Sequence, residues 1–592
     1  VLAPESAQTW TELSPAGGST AATVRIEQDR KDLPLRWSLQ ADLRGTGLQP
    51  SVLRGLQVRD AEGTLHMDGT GSTIRCRIDA ARGTVPLGTG GTAQAVGMNG
   101  TIARGESQVM ELELALRDLR LDEDLARQLD ALGIVSLDTW RFLAPEGSAQ
   151  ALVRISGAGD DQASVVVDVD LLDAASRALV LPAPFTSVRG RLRADGQQVT
   201  FQGLRGTMAD AALQVDGGSI GPAPGDPARR QVAFNVSARS FPIDERIANL
   251  FQGPLRDAVL ARRPSGRADV QELALRFLSD GTRAGAPTET VIGGRIEFVD
   301  LDFDLGTKFE GFSGTVQLEE SRMGIEGGAL RGSIRGASFR IFDHPVAAFE
   351  GTFRVDASRV QLDGLACELH GGTLRGSDPR RPSLTYLFPE RNEGRGVLGF
   401  ELDLASVSLG ELLKTSGVSG SPYRGTLDGF LRLNSLTDGD FLDADAQGQL
   451  ALADGNLGTV PIFTAIYSQL DEKNRPRFDS GTLAFRVRDR KVQVDQLVVR
   501  SPVIAVEGKG TMTLEGYLDI TLALESLFQG SADMLLLPPL FKALTQQLVR
   551  FHLFGHLADI RVEQRWFAEG KPRRTMLPPV PPRTFRPARP DF

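Results

Sequence analysis

The sequence predicts a mostly β fold: an elongated, antiparallel, repeating β-groove, a trough-like sheet with a few short helices. Three observations carry this. Apolar and polar residues alternate with period two along most of the 592 residues, the pattern of strands with one buried and one wet face. The 65 glycines and 32 prolines are spread along the chain instead of gathered in one tract, as suits many short strands separated by turns. Helical spacing is short and rare, at 121–132, 243–251, 409–414, 462–470 and 539–549.

The strands are read from runs such as Leu112-Glu-Leu114-Ala-Leu116 and Val165-Val-Val-Asp-Val-Asp-Leu171. A hairpin plan recurs. Strands opening at Gly190, Gly314, Gly351 and Gly481 meet partners at Val199–Phe201, Met323–Ile325, Val360–Leu362 and Val492–Val494, across polar turns. The helices repeat as well. LALRDLRLDEDLARQL, FNVSARSFPIDERIANL and FELDLASVSLGELLKTS each lead a strand into an apolar residue (Leu121, Ile243, Leu409) and a second apolar contact (Leu125, Ile247, Leu413). The acidic residues between them suit the positive end of a helix dipole.

These repeats divide the chain into a partial or divergent unit at 1–104, groove units at 105–230 and 231–395, a C-terminal unit at 396–570, and a disordered tail rich in proline and arginine at 571–592. A sheet with one apolar face must cover it with another layer. A few short helices cannot cover roughly forty strands about 4.8 Å apart, a row on the order of 190 Å. The sheet therefore curls onto itself or holds something apolar. The 29 phenylalanines, against four tyrosines and four tryptophans, suit a lining without polar handles.

Composition excludes several classes. The formal charge is −9 with no long basic block, against a nucleic-acid partner. Cys76 and Cys367 are too few for a disulfide framework or a metal cluster. No run of 18 apolar residues crosses a bilayer, and a chain that starts at Val1 leaves room for an upstream anchor.

The last unit carries a resemblance. GTLDGFLRL is followed by AQGQLALADGNLGTVPIFTAIYSQL, then FDSGTLAFRVRDRKVQVDQLVVRSPVIAVEGKGTMTLEGYLDITLAL, then PPLFKALTQQLVRFHLFGHLADIRV. In this order the segments resemble the C-terminal region of the AsmA-like family of bacterial envelope proteins, the AsmA, TamB and YhdP type. The likeness covers 425–562 well and 105–395 by pattern. It implies a long curved sheet with an apolar interior that carries phospholipid or another lipid between inner and outer membranes. It further implies a periplasmic location, anchoring in the inner membrane by a segment upstream, and contacts with a membrane surface or envelope proteins at the ends. No enzymatic activity and no cofactor are expected. The alternative is an assembly factor for outer-membrane proteins that conducts no lipid. A third reading, a β-solenoid adhesin or sugar-binding protein, lacks the regular short repeats and aromatic platforms it needs.

The groove-lining candidates are the apolar phase of strands: Val316, Leu318, Phe353, Val355, Leu483, Phe485, Val487, Val492, Val494, Leu497 and Val499, with Arg486, Arg488 and Gln493 facing water. Leu540, Phe541, Leu544 and Leu548 make one helical face beyond the apolar run Met534–Phe541. They read as a plug for the trough end or as a tip touching a membrane or partner. His552 and His556 have the spacing of a helical metal pair. Phe551-His-Leu553 alternates like a strand, however, which places the histidines about 13 Å apart, too far to share one ion. Asp479, Asp489 and Asp495 fall at turns or on the polar phase, where acids are solvated. Gly508–Thr511 lacks phosphate-loop spacing.

Overall fold

The computed structural model describes residues 17–566 apart from 29, 31–33, 50–56, 71–72, 88–90, 105–108, 132–134, 159–163, 179–180, 197, 252, 280–287, 325–326, 390–395, 417–423, 438–442, 457–477, 502–503, 527–548 and 557–558. The helical stretch expected at 462–470, that at 539–549 up to 548 with Leu540, Phe541, Leu544 and Leu548, and the tail 571–592 lie outside these residues, while Val549 opens a strand. About 76% of the described residues lie in strands and 9% in helices. The 29 described strands form an antiparallel sheet built mostly from pairs of chain neighbours; the exception is Gly372–Gly376 and Leu384–Leu387, which each pair with both Arg359–Leu369 and Val397–Ser408. The expected forty strands are fewer because they are longer. Asp226–Ile243 runs for 18 residues and Lys308–Gly324 for 17.

Three of the four expected hairpins are present: Phe185–Asp195 with Gln198–Met208, His344–Asp356 with Arg359–Leu369, and Ser480–Arg488 with Lys491–Arg500. The last turns through Asp489 and Arg490, at φ 51° and 61°, the doubly positive pair that matches strand twist. The fourth fails. Gly314 and Met323 lie on the same strand, because Glu319 and Glu320 are both exposed and shift the alternation by one residue without a turn.

Helix α1 (Glu123–Ala131), a 3-10 turn at Glu245–Leu250 and helix α4 (Leu409–Thr415) occupy three expected helical sites. Asp244 and Ser408 cap the latter two, accepting from the backbone N–H of Arg246 and Glu411. Two further helices, α2 (Leu137–Leu143) and α3 (Gly253–Ala261), were not expected. Ser136 caps α2 through the N–H of Thr139, and Pro254 stands in the first turn of α3, where its missing N–H costs nothing.

A four-residue device recurs along the strands: apolar, variable, then a residue in the left-handed region, then apolar. Leu116-Arg-Asp118-Leu119, Phe185-Thr-Ser187-Val188, Ala238-Arg-Ser240-Phe241, Leu362-Asp-Gly364-Leu365 and Leu404-Ala-Ser406-Val407 all follow it, with φ between 50° and 60° at the third position. The strand register shifts at four of these sites, those of Asp118, Ser187, Gly364 and Ser406. They are β-bulges, which bend the strand and raise its twist. A bulge also returns the chain to the same face after three residues, so Leu404 and Val407 are both buried, at 8% and 0% exposure. The freed backbone groups find side chains. Ser406 N–H donates to Asp428 Oδ1 at 2.9 Å, Ser240 N–H to Asp269 Oδ1 at 2.6 Å, and Gly311 N–H to Asp302 Oδ1 at 2.8 Å.

Cross-strand aromatic and glycine pairs shape the same face. Trp37 opposes Gly69, Phe201 opposes Gly218, Phe353 opposes Gly332, and Phe485 opposes Gly448. At Gly448 a Cβ would come within 2.9 Å of the Phe485 ring. The ring therefore lies over bare backbone, an arrangement that lets an aromatic cover a glycine in a curved sheet.

The chain divides into two compact units: Val1–Arg256 with Ala268–Ile296 and Glu320–Glu326, and Asp257–Arg267 with Glu297–Glu319 and Gly327–Phe592. Of the expected boundaries, 104 separates two strands that pair with each other, and 230 falls inside the strand Asp226–Ile243. Repeats that share one hydrogen-bonded ladder leave no linker at these positions. In the first unit Phe142 of α2 meets Phe277, which meets Phe234, which stacks on Phe201. There a helix closes over the apolar side of the sheet.

Candidate functional site

The site is the apolar face of the second unit, and its continuity follows from register. Residues directly opposite across a ladder point to the same side. One row runs Gly332, Phe353, Leu362, Leu384, Phe400, Leu433, Ala446, Val487, Val492, Met512, Leu518, Gly555, Ile560. A second runs Leu402, Leu431, Gly448, Phe485, Val494, Gly510, Ile520, Leu553, Val562. Every member is apolar or glycine.

Nine of the eleven expected lining residues belong to this face. Phe353, Val355, Leu483, Phe485, Val487, Val492, Val494, Leu497 and Val499 are tied together by their pairings. A register shift at Asp495 and Gln496 keeps Val494 and Leu497 on the same side. Val316 and Leu318 are buried on the same phase of Lys308–Gly324. Beside them Phe298, Phe303, Phe309, Phe312, Phe339 and Phe349 form a continuous run of ring contacts, with centroids 4.9 to 6.1 Å apart.

Burial varies along the strands in an informative way. At one rim Leu404, Val407, Leu427 and Leu452 are buried, with Leu409 and Leu412 of α4 packed against them. At the other rim Tyr386, Leu398 and Leu436 are buried, at 0%, 2% and 3% exposure. Between the rims Phe400, Leu402, Leu431, Leu433, Leu450, Leu483 and Phe485 are only half-buried. The face is sealed at both ends of its strands and partly open in the middle.

The opposite face is polar. Arg432 pairs with Glu401 at 2.5 Å, Arg486 with Asp495 at 2.6 Å, and Arg488 with Asp445 at 2.8 Å. The Asn434 amide and the Arg488 guanidinium hold the Asp445 carboxyl below its ordinary value. Arg486, Arg488 and Gln493 are exposed, as the alternation predicts. Exposed ion pairs such as Arg486–Asp495 and Arg488–Asp445 each contribute about 0.2–1 kcal/mol; Arg432–Glu401 is partly buried.

The titratable candidates are dispersed. His552 and His556 lie on the strand Val549–His556, with separate partners. His552 Nε2 is 2.8 Å from Asp519 Oδ1, and His556 Nε2 is 3.1 Å from the Glu515 carbonyl. Among the described residues no three histidine, cysteine or acidic groups gather as metal ligands do. Asp495 is held by Arg486, Asp489 sits in the hairpin turn, and Asp479 accepts from Ser480 Oγ at 3.2 Å. Gly508–Thr511 is interior to the strand Ile504–Thr513. Cys76 and Cys367 are buried and free, and burial pushes their thiols up, to about 12 and about 11.

Sequence reasoning missed two parts of this site. One is the bulge device, visible as apolar residues three apart around a glycine, serine or aspartate. The other is a histidine pair at the α4 rim, His344 Nδ1 and His370 Nε2 at 2.9 Å. Burial, then the neighbouring His344, holds His370 below the ordinary value of 6.5, against a smaller opposing effect of Glu411.

No protein-family model matches this chain, and no curated protein matches it. Among the described residues no helix is long and apolar enough to cross a membrane.

Proposed function

We propose that the protein is an AsmA-like lipid carrier whose second unit holds acyl chains along its apolar sheet face. The observation that carries this reading is the half-buried band between two sealed rims. Apolar side chains left partly open over a continuous face are unfavourable in water, at about 25 cal/mol per Å², and an extended exposed apolar patch marks a binding surface. Aliphatic side chains and phenylalanine line the band, and the Arg432–Glu401, Arg486–Asp495 and Arg488–Asp445 ion pairs stand on the other face. This chemistry suits acyl chains, and the reading is of a carrier.

With the resemblance over 425–562, the cargo is a phospholipid or similar membrane lipid. The setting is the periplasm of a bacterium with an outer membrane, with anchoring in the inner membrane and membrane or envelope-protein contacts at the ends. The test is extraction of the purified protein and identification of bound lipid by mass spectrometry. Stoichiometric lipid supports the carrier. A lipid-free protein that rejects added lipid favours the assembly-factor alternative.

A further inference from the structure

Arg262 follows helix α3 and reaches the apolar face of the second unit at the rim opposite α4. Its guanidinium donates to the Tyr386 hydroxyl and, at 3.4 Å, to the Asp304 carbonyl. It lies 5.2 Å from the Tyr386 ring centroid and 5.7 Å from that of Phe388. Tyr386 is opposite Val360 and Leu398 in its ladders, which places its ring on the apolar face. The arginine is half-buried, and its Nε is buried without a hydrogen-bond partner. Among the described residues no carboxylate pairs with it, whereas Arg432, Arg486 and Arg488 on the polar face each have one. A cation withdrawn from water without a counter-anion is costly, and so is an orphaned donor.

We propose that Arg262 and Tyr386 form the headgroup end of the groove, taking the oxyanion, carboxylate or phosphate, of an amphiphile. The amphiphile's chain then lies over Phe400, Leu402, Leu431 and Leu433. Register supplies the path. Leu398 is beside Tyr386, Phe400 and Leu402 follow on the same side, and α4 closes the strands beyond Leu404. A guanidinium suits this role because it binds oxyanions through two parallel donors. The inference rests on the lipid-carrier reading and adds to it a charge preference and a position.

The experiment titrates lipid-stripped protein with palmitate, the lysophosphatidic acid of the same chain, and hexadecanol, which is uncharged. The wild type binds at least one anionic amphiphile about tenfold more tightly than hexadecanol, a charge-assisted contact of about 1.4 kcal/mol. Which anion is preferred identifies carboxylate or phosphate as the natural head. Arg262→Met abolishes the preference, lowering the affinity for the preferred anion about tenfold toward that of hexadecanol, while Arg262→Lys keeps part of it. If Arg262→Met does not fold, Tyr386→Phe decides, and it must lower the preference by removing the hydroxyl that holds the guanidinium. Equal affinity for all three amphiphiles in the wild type, or a preference intact in the folded variants, overturns the headgroup site alone. Failure of all three to bind overturns the groove reading with it.

Discussion

Val494 is the position where a sealed protein core and a lipid-holding groove give opposite outcomes. It is 7% exposed, opposite Phe485 on one side and Gly510 on the other. Val494→Asp forfeits the burial of a valine side chain, about 1.5–3 kcal/mol. In a closed core the carboxylate adds several kcal/mol as an uncompensated charge. The sum then rivals the about 5–15 kcal/mol that stabilises a typical domain, and the second unit unfolds. In a groove the half-open neighbour Phe485 admits water, the carboxylate is hydrated, and only the valine contribution is lost. The account expects the second case: a folded variant with a lowered melting temperature and sharply reduced bound lipid. The control is Gln493→Asp on the polar face beside Arg486, within about 0.5 kcal/mol of wild type and with normal occupancy. The assay is thermal melting by circular dichroism with native mass spectrometry of the same samples. A Val494→Asp protein that folds with full lipid occupancy refutes the assignment of this face, and one that unfolds shows a sealed core.

Three further outcomes follow from particular contacts. Asp428→Ala removes the acceptor of the exposed Ser406 bulge N–H and destabilises the second unit by about 0.5–1.5 kcal/mol, whereas Asp428→Asn retains most of the stability; equal melting temperatures for both variants contradict the bulge-capping role. A Cβ at Gly510 would meet the Asp519 carbonyl oxygen at 2.1 Å, while one at Gly97 meets nothing within 4 Å, so melting curves should show Gly510→Ala losing at least about 3 kcal/mol and Gly97→Ala within about 1 kcal/mol of wild type. His370 is held below 6.5 by burial, so the unfolded chain binds its proton first as pH falls. Its contribution to stability is therefore present above pH 6.5 and lost as pH falls from there through the lowered value, and His370→Gln should flatten that part of the stability–pH curve.

The strands, most of their turns and three helical sites are legible in the sequence, because period-two alternation and acidic first turns are local signals. The common face of Leu483, Phe485, Val487, Val492 and Val494 is legible for the same reason. What alternation cannot supply is its own interruption. Glu319-Glu320 looks like the polar centre of a hairpin yet continues one strand, whereas Asp489-Arg490 turns; the difference is the left-handed backbone at both residues of the second pair. Short helices such as α2 are set by one cap, Ser136, and by Phe142 meeting Phe277 from a distant strand. The rim residues escaped because Arg262 and Tyr386 are 124 positions apart, and His344 and His370 come together only when two hairpin ends align. Long-range pairing, not composition, makes those sites.

The most direct test of the account is photocrosslinking in cells. A photoreactive phenylalanine analogue replaces Phe485, on the half-open band, or Arg488, on the polar face of the same strand. The account predicts lipid adducts from position 485 and none from position 488. Adducts of equal yield at both positions, or none at 485 in a folded protein, contradict it.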